Sequence, residues 1–132
     1  IICIQDNITD NDVDKLFDNT KSIRKTPDSI LDPYRNDLKE MMQKMTIEER
    51  QRWSLNQAYI ALGNLMTVCA VEAIDSCPME GFSEKQFDNI LDLKSKNLKS
   101  ALLLPVGYRA DDDFFADLKK VRKSVAESTI EM

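Results

Sequence analysis

Residues 77–82 of this chain read Cys-Pro-Met-Glu-Gly-Phe, and they follow a long stretch, 46–75, whose pattern predicts a single helix. The first half of that stretch is polar on one side, whereas residues 58–74 are apolar nearly all round. A helix that is apolar on every face is typically a buried one. Pro78 and Gly81 then favour a backbone shape that neither a helix nor a central strand tolerates. The sequence therefore predicts a buried central helix that presents the backbone of a rigid loop to a flat ligand.

Composition limits the classes of partner and reaction. With 132 residues, 42% of them hydrophobic, the chain is long enough for one domain with a core, and we treat residues 1–132 as that single domain. The net charge of −5 disfavours nucleic acids and anionic membranes as partners. No apolar run reaches the roughly 18 residues that a transmembrane helix needs. Because the chain has no histidine, Ser-His-Asp catalysis and most zinc sites are excluded.

The cysteines do not indicate a disulfide framework. Cys3, Cys69 and Cys77 are odd in number, and two of them lie in apolar surroundings. This usage is typical of reduced, structural thiols in a cytoplasmic protein. A nucleophilic cysteine would lack its usual histidine partner, so we assign no catalytic cysteine.

The N-terminal part of the chain predicts a strand, a short helix and a surface segment. The apolar run at 1–4 predicts a strand buried on both faces, as in the middle of a sheet, so we expect that residue 1 is not the natural start. Thr9 or Asp10 caps a short helix within 6–19. The polar segment 20–32 is interpreted as a surface excursion.

Local signals predict where the next two helices begin. Asp32 followed by Pro33 is typical of a helix start, and the apolar repeat continues that helix to about Met45. The sequence Thr-Ile-Glu-Glu at 46–49 is a capping box that restarts the chain as the long helix. Within the long helix, Gly63 costs about 1 kcal/mol relative to alanine, so we expect a close helix approach there.

Two polar side chains, Gln57 and Asn64, lie on the otherwise apolar surface of the long helix. Such groups usually satisfy neighbouring backbone groups. The alternative interpretation is a contact with a ligand or with another subunit.

Short elements and polar turns follow the Pro-Gly loop. Residues 83–86 form a second capping box ahead of a helix, and residues 100–107 predict a buried strand with Pro105 near its end. We interpret the basic segment 94–99 as a solvated turn rather than a phosphate contact. The acidic triplet 111–113 is interpreted as a capped turn rather than a metal site.

The C-terminal tail, 118–132, has too little apolar surface to fold alone, so it either frays or lies along a partner. The tail also carries a group of cations within an acidic chain. They form either a solvated basic turn or a small anion site, and they are Lys119, Lys120, Arg122 and Lys123.

Six short motifs follow one another along the chain: Trp53, Asn56-Gln57, Gly63-Asn64-Leu65, Pro78-Met79-Glu80-Gly81-Phe82, Leu104-Pro105-Val106-Gly107-Tyr108 and Leu118-Lys119-Lys120-Val121-Arg122. Each motif alone is weak, but the ordered set is fairly specific. It resembles the flavin-dependent nitroreductase family, and most closely the oxygen-insensitive NAD(P)H nitroreductase and dihydropteridine reductase branch.

The resemblance implies an α+β fold in which helices wrap a mixed sheet, built as an intertwined homodimer. The long central helix would form much of the dimer interface, and the C-terminal tail would embrace the other subunit. Interfaces of obligate dimers resemble a domain core cut in half. The resemblance would thus account for a helix that is apolar on every face.

The resemblance also implies FMN as cofactor. NAD(P)H would reduce the flavin and leave, and a nitroaromatic, quinone or pteridine acceptor would then occupy the same place. No side chain is assigned as a general acid or base, and no metal ligand is assigned. The implied cofactor contacts are Pro78, Met79, Glu80 and Gly81 against the isoalloxazine, with backbone N–H groups near Glu80 and Gly81 at its reactive edge, Lys120 and Arg122 at the phosphate, and Gln57 at the flavin or across the dimer.

Two segments that relatives carry do not occur in this sequence. These are an N-terminal Arg/Ser-containing phosphate motif and a Ser/Asn-rich segment that ends in Gln-Pro-Trp. The resemblance therefore covers only the C-terminal portion of the fold. Three interpretations stay open: an FMN oxidoreductase or part of one, a flavin-free dimerising remnant, and a generic helical interaction domain.

Overall fold

The computed structural model describes residues 1–131. Helices and short strands alternate along the chain, with a 3-10 turn at Lys94–Lys96. In chain order the elements are β1 (Ile2–Gln5), α1 (Asp10–Arg24), α2 (Asp28–Lys44), α3 (Ile47–Val71), β2 (Asp75–Ser76), α4 (Glu84–Ile90), β3 (Leu98–Leu102), β4 (Val106–Gly107) and α5 (Val125–Ser128).

The main core lies between α3 and the β1–β3 pair. β1 and β3 run antiparallel, with Ile4 opposite Lys99. Ile4 points into a buried cluster with Ala58 and Leu62 of α3 and with Leu102, which is only 1% exposed. The strands of residues 1–131 form two separate antiparallel pairs, β1–β3 and β2–β4, where the resemblance implied one mixed sheet. In this part of the chain β1 pairs on one side only.

α1 and α2 pack against each other as a helical hairpin. The hairpin has a small core of its own, made by Val13, Phe17 and Leu31. The segment 20–32 lies mostly on the surface as predicted, but it is not an irregular excursion, because α1 continues to Arg24 and α2 begins at Asp28. The excursion shrinks to a turn around Lys25, whose left-handed backbone (φ 56°) ends α1. Burial of Leu31 against α1 supplies an anchor that the polar local sequence does not reveal.

The predicted helix start at Asp32-Pro33 is also wrong. Pro27 is the N-cap of α2, and Pro33 lies inside the helix. A proline inside a helix removes one backbone hydrogen bond and costs about 3 kcal/mol. The helix continues through Pro33 because Leu31 and Met42, on either side of it, are buried.

α3 begins as the capping box predicts, since the N–H of Glu49 donates to the Thr46 hydroxyl at 3.2 Å and the N–H of Thr46 donates to the Glu49 carboxylate at 2.8 Å. The helix ends at Val71 rather than near residue 75. Ala73 adopts the left-handed conformation (φ 56°), and the N–H of Ile74 closes the end by donating to the Cys69 carbonyl at 2.8 Å.

Only one stripe of α3 is buried within this chain, consisting of Ser54, Ala58 and Leu62. The expectation of a helix buried on every face is therefore not met by the chain itself, because the β1–β3 pair covers a single side. The helix leaves a row of exposed apolar side chains on its other faces. They include Ile60, Leu65, Val68 and Val71, with Val71 78% exposed.

The close helix approach expected at Gly63 is not present. A Cβ built on Gly63 would have no atom within 4 Å, so nothing in the described chain requires a glycine there.

No helix of residues 1–131 is long and apolar enough to cross a membrane.

The strand predicted for 100–107 is interrupted. β3 ends at Leu102, and β4 comprises only Val106 and Gly107. Pro105 lies between them and cannot donate a ladder hydrogen bond. The two strands pair with different partners, β3 with β1 and β4 with β2. α4 begins after Ser83 as predicted, although the Ser83 hydroxyl forms no capping hydrogen bond.

Candidate functional site

The loop at 77–82 is held in place by backbone pairing with the segment that follows β3. β2 pairs antiparallel with β4, with Asp75 opposite Gly107. The N–H of Cys77 donates to the Pro105 carbonyl at 3.0 Å. Met79 and Leu103 then exchange two hydrogen bonds, of 2.9 and 3.0 Å. The loop therefore continues a short antiparallel ladder, which fixes its backbone up to Met79.

Beyond Met79 the loop presents backbone donors that are not used within the described chain. The N–H groups of Glu80 and Gly81 have no hydrogen-bond partner among residues 1–131, whereas the next N–H, of Phe82, donates to the Glu80 carbonyl at 2.8 Å. Phe82 packs edge-on against Phe87 of α4, with ring centroids 5.2 Å apart. The aromatic pair thus anchors the far end of the loop and leaves the two donors exposed.

Gly81 does not use the backbone freedom that we expected of it. Within residues 1–131, no glycine has a positive φ, so Gly81 lies in a region open to other residues. A Cβ built on Gly81 would have no atom of this chain within 4 Å. The space in front of Gly81 is therefore open, which suits the close approach of a ligand or a second chain.

A cavity of about 390 Å³ lies at the base of the loop, beside β2 and β4. It combines backbone from both strands with a mixed set of charges. Its lining residues are Asp75, Ser76, Cys77, Pro105, Val106, Gly107, Tyr108, Arg109, Asp113 and Lys120.

The strongest polar contact in this cavity joins Asp75 to Arg109. The Arg109 guanidinium donates to both carboxylate oxygens, from Nε at 2.7 Å and from a terminal nitrogen at 2.9 Å. The hydrogen bond from Arg109 holds the pKa of Asp75 below its ordinary value, and Lys120 adds a smaller contribution of the same sign. Asp75 in turn raises the pKa of Arg109. Arg109 also lies 3.8 Å from Asp113.

The two cations that were predicted to bind a phosphate lie apart. Lys120 lines the cavity, where its charge acts on Asp75. The Arg122 guanidinium instead donates to the neighbouring Val121 carbonyl at 2.7 Å and is not among the residues that line this cavity. Of the pair, Lys120 is the one that lies next to the base of the loop.

Gln57 lies at a different place. It lines a cavity of about 340 Å³ beside β1, together with Trp53, Cys3 and Ala61. Asn64, by contrast, donates to the Ile60 carbonyl one turn back at 3.0 Å, which is the satisfied backbone contact that we considered for it. Within the described chain, Gln57 and the 77–82 loop do not line a common cavity.

The thiols and carboxylates do not form a metal centre in the described part of the chain, since no group of three or more such side chains converges in residues 1–131. All three cysteines are free. Burial raises the pKa of the Cys3 thiol, which lowers its thiolate fraction.

Sequence reasoning missed Asp75 and Arg109 as a pair. Asp75 was interpreted as the end of the long helix, and Arg109 follows the Pro-Val-Gly-Tyr motif without a signal of its own. The two residues meet only because β2 pairs with β4. A local pattern contains no information on that pairing.

These features describe an α+β chain in which a long helix, a short ladder and an open loop with unused backbone donors meet at one place. The model of the nitroreductase family matches residues 5–108, and the chain belongs to that family. The match includes the 77–82 loop and ends just before Arg109. The interpretation as a generic helical interaction domain is therefore excluded.

Two curated relatives carry the same printed name, oxygen-insensitive NAD(P)H nitroreductase. The protein from Salmonella typhimurium is 32% identical over 81 residues, which are 61% of this chain and 37% of the relative. The protein from Enterobacter cloacae is 31% identical over 81 residues, with the same shares of the two chains. The chain thus spans little more than a third of the length of these relatives.

A solved structure supports the fold. The crystal structure of ydfN from Bacillus subtilis, a protein named as a candidate nitroreductase, superposes with a TM-score of 0.76 at 16% sequence identity. The superposition covers 93% of this chain and 58% of ydfN. The α+β class and the nitroreductase-like arrangement are confirmed, and the chain corresponds to part of that fold.

Proposed function

We propose that this chain is part of an FMN-dependent oxidoreductase that passes hydride from NAD(P)H, through the flavin, to small aromatic acceptors of the nitroaromatic, quinone or pteridine type. The observation that carries the proposal is the pair of unpartnered N–H groups at Glu80 and Gly81, in an open loop inside the matched family region. The flavin, when bound, supplies the redox chemistry. The protein supplies binding, orientation and electrostatics.

The residues of the loop fit the flat ring of a flavin. The free N–H groups of Glu80 and Gly81 would donate to its polar edge, where donors favour added negative charge. The missing side chain of Gly81 leaves room for a ring to lie against the backbone. Pro78 and Met79, both exposed, would contact the ring face, and the Met79–Leu103 pairing would hold them in position.

Lys120 is the better-placed candidate for the FMN phosphate. It lies at the cavity beside the loop, and no acidic side chain of residues 1–131 lies within ion-pair distance of its ammonium group. Arg122 would join it after a rotation of the side chain away from the Val121 carbonyl, because its present contact is exposed and local. An arginine offers forked donors to a phosphate, whereas lysine acts as a point charge.

The proposed assembly is a homodimer in the cytoplasm. The exposed apolar side chains of α3, from Ile60 to Val71, would be covered by a second copy, which would complete the helix burial that the sequence predicts. Gln57 lies on the same helix, beside the β1 cavity, and would contact the flavin or the other subunit. NAD(P)H and the acceptor would occupy the same place in turn.

The test is an absorption spectrum of the purified chain, taken with its intact mass and its molar mass in solution. A yellow dimer with the flavin bands, which releases FMN on denaturation, would support the proposal. A chain that stays colourless after incubation with excess FMN would refute flavin binding by this chain.

A second candidate function is a flavin-free dimerising fragment. Its specific support is the exposed apolar face of α3, which a second copy would cover whether or not a flavin is bound. A colourless dimer that gives no calorimetric signal with FMN would favour this candidate over the first.

A further inference from the structure

The ladder that carries the 77–82 loop has little to stabilise it apart from backbone hydrogen bonds. Each of its two strands, β2 and β4, contains only two residues. Isolated two-stranded pairs are marginally stable in water. The side chains along it are mostly outside the core, since those of Pro78 and Val106 are exposed. The β2–β4 end of the ladder therefore needs another contact to stay paired.

The two ends of the ladder are secured in different ways. At one end, Leu103 pairs with Met79 directly after Leu102, which is 1% exposed and fixed in the main core. At the other end, where Asp75 lies opposite Gly107, the described chain provides no buried apolar side chain. The Asp75–Arg109 ion pair closes this second end.

We propose that Asp75 and Arg109 are positioning residues that clamp β2 to β4 and thereby hold the backbone donors of Glu80 and Gly81 in place. This inference rests on the proposed function for its consequence, because the clamp matters to flavin binding only if the loop receives the flavin. The clamp itself is a property of the chain with or without a cofactor.

The geometry of the pair suits this role. Both carboxylate oxygens of Asp75 accept from one guanidinium, at 2.7 and 2.9 Å, and a bidentate pair fixes orientation as well as distance. The pair joins the first residue of β2 to the second residue after β4. Sliding or peeling of β2 along β4 would break both hydrogen bonds together.

Arg109 also forms an ion pair with Asp75 that neutralises its carboxylate charge. Asp75 and Lys120 line the same cavity, and the positive charge of Lys120 already acts on Asp75. Without the guanidinium, the Asp75 carboxylate would be available to Lys120 and would compete with any phosphate there. The clamp would therefore affect both parts of the proposed site: the loop that contacts the flavin ring and Lys120 at the phosphate.

The experiment measures hydrogen exchange at single amides in the full chain without flavin. The variants are Asp75→Asn, Arg109→Gln, the double variant, and Arg109→Lys, which keeps the charge but loses the fork. Lys44→Gln is the matched control, because it removes an exposed ion pair of 2.6 Å, with Glu40, far from the loop in sequence. Exchange at Leu62, in the core, reports whether each variant is folded.

We expect exchange at the Met79 and Leu103 amides to become at least about threefold faster in Asp75→Asn and Arg109→Gln, with Leu62 and the control unchanged. The double variant should equal the single variants, because both remove one interaction. Arg109→Lys should lie between the parent and Arg109→Gln. Unchanged exchange at Met79 and Leu103, or additive effects in the double variant, would overturn the clamp.

Titration with FMN separates the clamp from the proposed function. Weaker FMN binding in the same order as the faster exchange supports both. If the variants exchange faster but the parent chain binds no FMN, the clamp is supported and the flavin site is refuted. If the variants exchange at the parent's rate and the parent chain binds FMN, the clamp is refuted and the flavin site is still supported.

Discussion

Met79 and Leu103 exchange a reciprocal pair of backbone hydrogen bonds, of 2.9 and 3.0 Å, although α4 and β3 lie between them in the sequence. This single bridge ties the loop to the end of the strand that carries Leu102 into the core. It places the two free backbone donors of the loop directly after a fixed residue.

The open space at Gly81 gives a prediction that separates folding from binding. In Gly81→Val the new Cβ would have no atom of this chain within 4 Å, so the free energy of unfolding should change by no more than about 0.5 kcal/mol. FMN affinity should fall at least about tenfold, because the branched side chain fills the space in front of the free donors. Urea unfolding and fluorescence titration measure the two effects. An unchanged affinity would show that no ring lies against Gly81.

The proposed phosphate contacts predict a charge-specific loss of binding. Lys120→Ala combined with Arg122→Ala should weaken FMN binding at least about tenfold, because hydrogen bonds to charged groups contribute roughly 1.5–3 kcal/mol each. The control is Lys119→Ala with Lys123→Ala, which removes the same net charge from the same segment. Isothermal titration measures both. Equal losses in the two double variants would assign the effect to net charge rather than to particular contacts.

The end of α3 predicts a stabilising substitution. Ala73 is held at φ 56°, where a Cβ costs roughly 1–2 kcal/mol and a glycine does not pay that strain. Ala73→Gly should therefore raise the free energy of unfolding, by about 0.5–1 kcal/mol after the entropy of the unfolded chain is included. Ala70→Gly, in the last turn of α3, should instead lower it, by less than the cost of about 1 kcal/mol at a helix interior. Urea unfolding of both variants tests the sign at each position.

The start of α1 predicts a pH dependence. Partial burial would raise the pKa of Asp12, but hydrogen bonds from the N–H and hydroxyl of Thr9, at 2.9 and 2.7 Å, outweigh it, so the pKa lies below its ordinary value of 3.8. The contribution of the Asp12 carboxylate to the free energy of unfolding is therefore complete above pH 3.8. It disappears as the pH falls through the lowered pKa of Asp12.

Unfolding midpoints in urea, measured from about pH 5 down to about pH 2, should decline less steeply in Asp12→Asn than in the parent chain. Asp6 is the matched site for comparison, because it precedes the helix and makes no such cap. Parallel curves for Asp12→Asn and the parent would contradict a lowered pKa at Asp12.

The exposed face of α3 predicts the effect of a charge on assembly. Val68 is 58% exposed in the single chain, so Val68→Lys should leave monomer folding intact. If a second copy covers this face, the lysine should shift the molar mass in light scattering from dimer to monomer. Ile30→Lys, at a 66% exposed site on α2, is the control that should leave the dimer unchanged. A dimer that persists in Val68→Lys would place the interface elsewhere.

Several elements were predictable because their causes are local. The capping box at Thr46 and Glu49 needs only residues three apart, and the helix after Ser83 follows a similar local pattern. The ordered motifs around the 77–82 loop were enough to indicate the family that the matched region confirms.

The errors have a common physical reason. Segment 20–32 looks polar, yet it is mostly helical, because Leu31 packs against Val13 and Phe17 of the preceding helix. The strand at 100–107 is divided because β3 pairs with β1, whereas β4 pairs with β2. In both cases a contact with a distant part of the chain decides the conformation.

The sequence by itself determined the starts of α1, α3 and α4, the α+β class and the family, since capping, periodicity and motif order are written into neighbouring residues. Only the tertiary structure decided that Asp75 meets Arg109, that Met79 pairs with Leu103, and that one stripe of α3 is covered. Those contacts depend on strand pairing and on which surfaces the chain can bury against itself, and no local pattern encodes either.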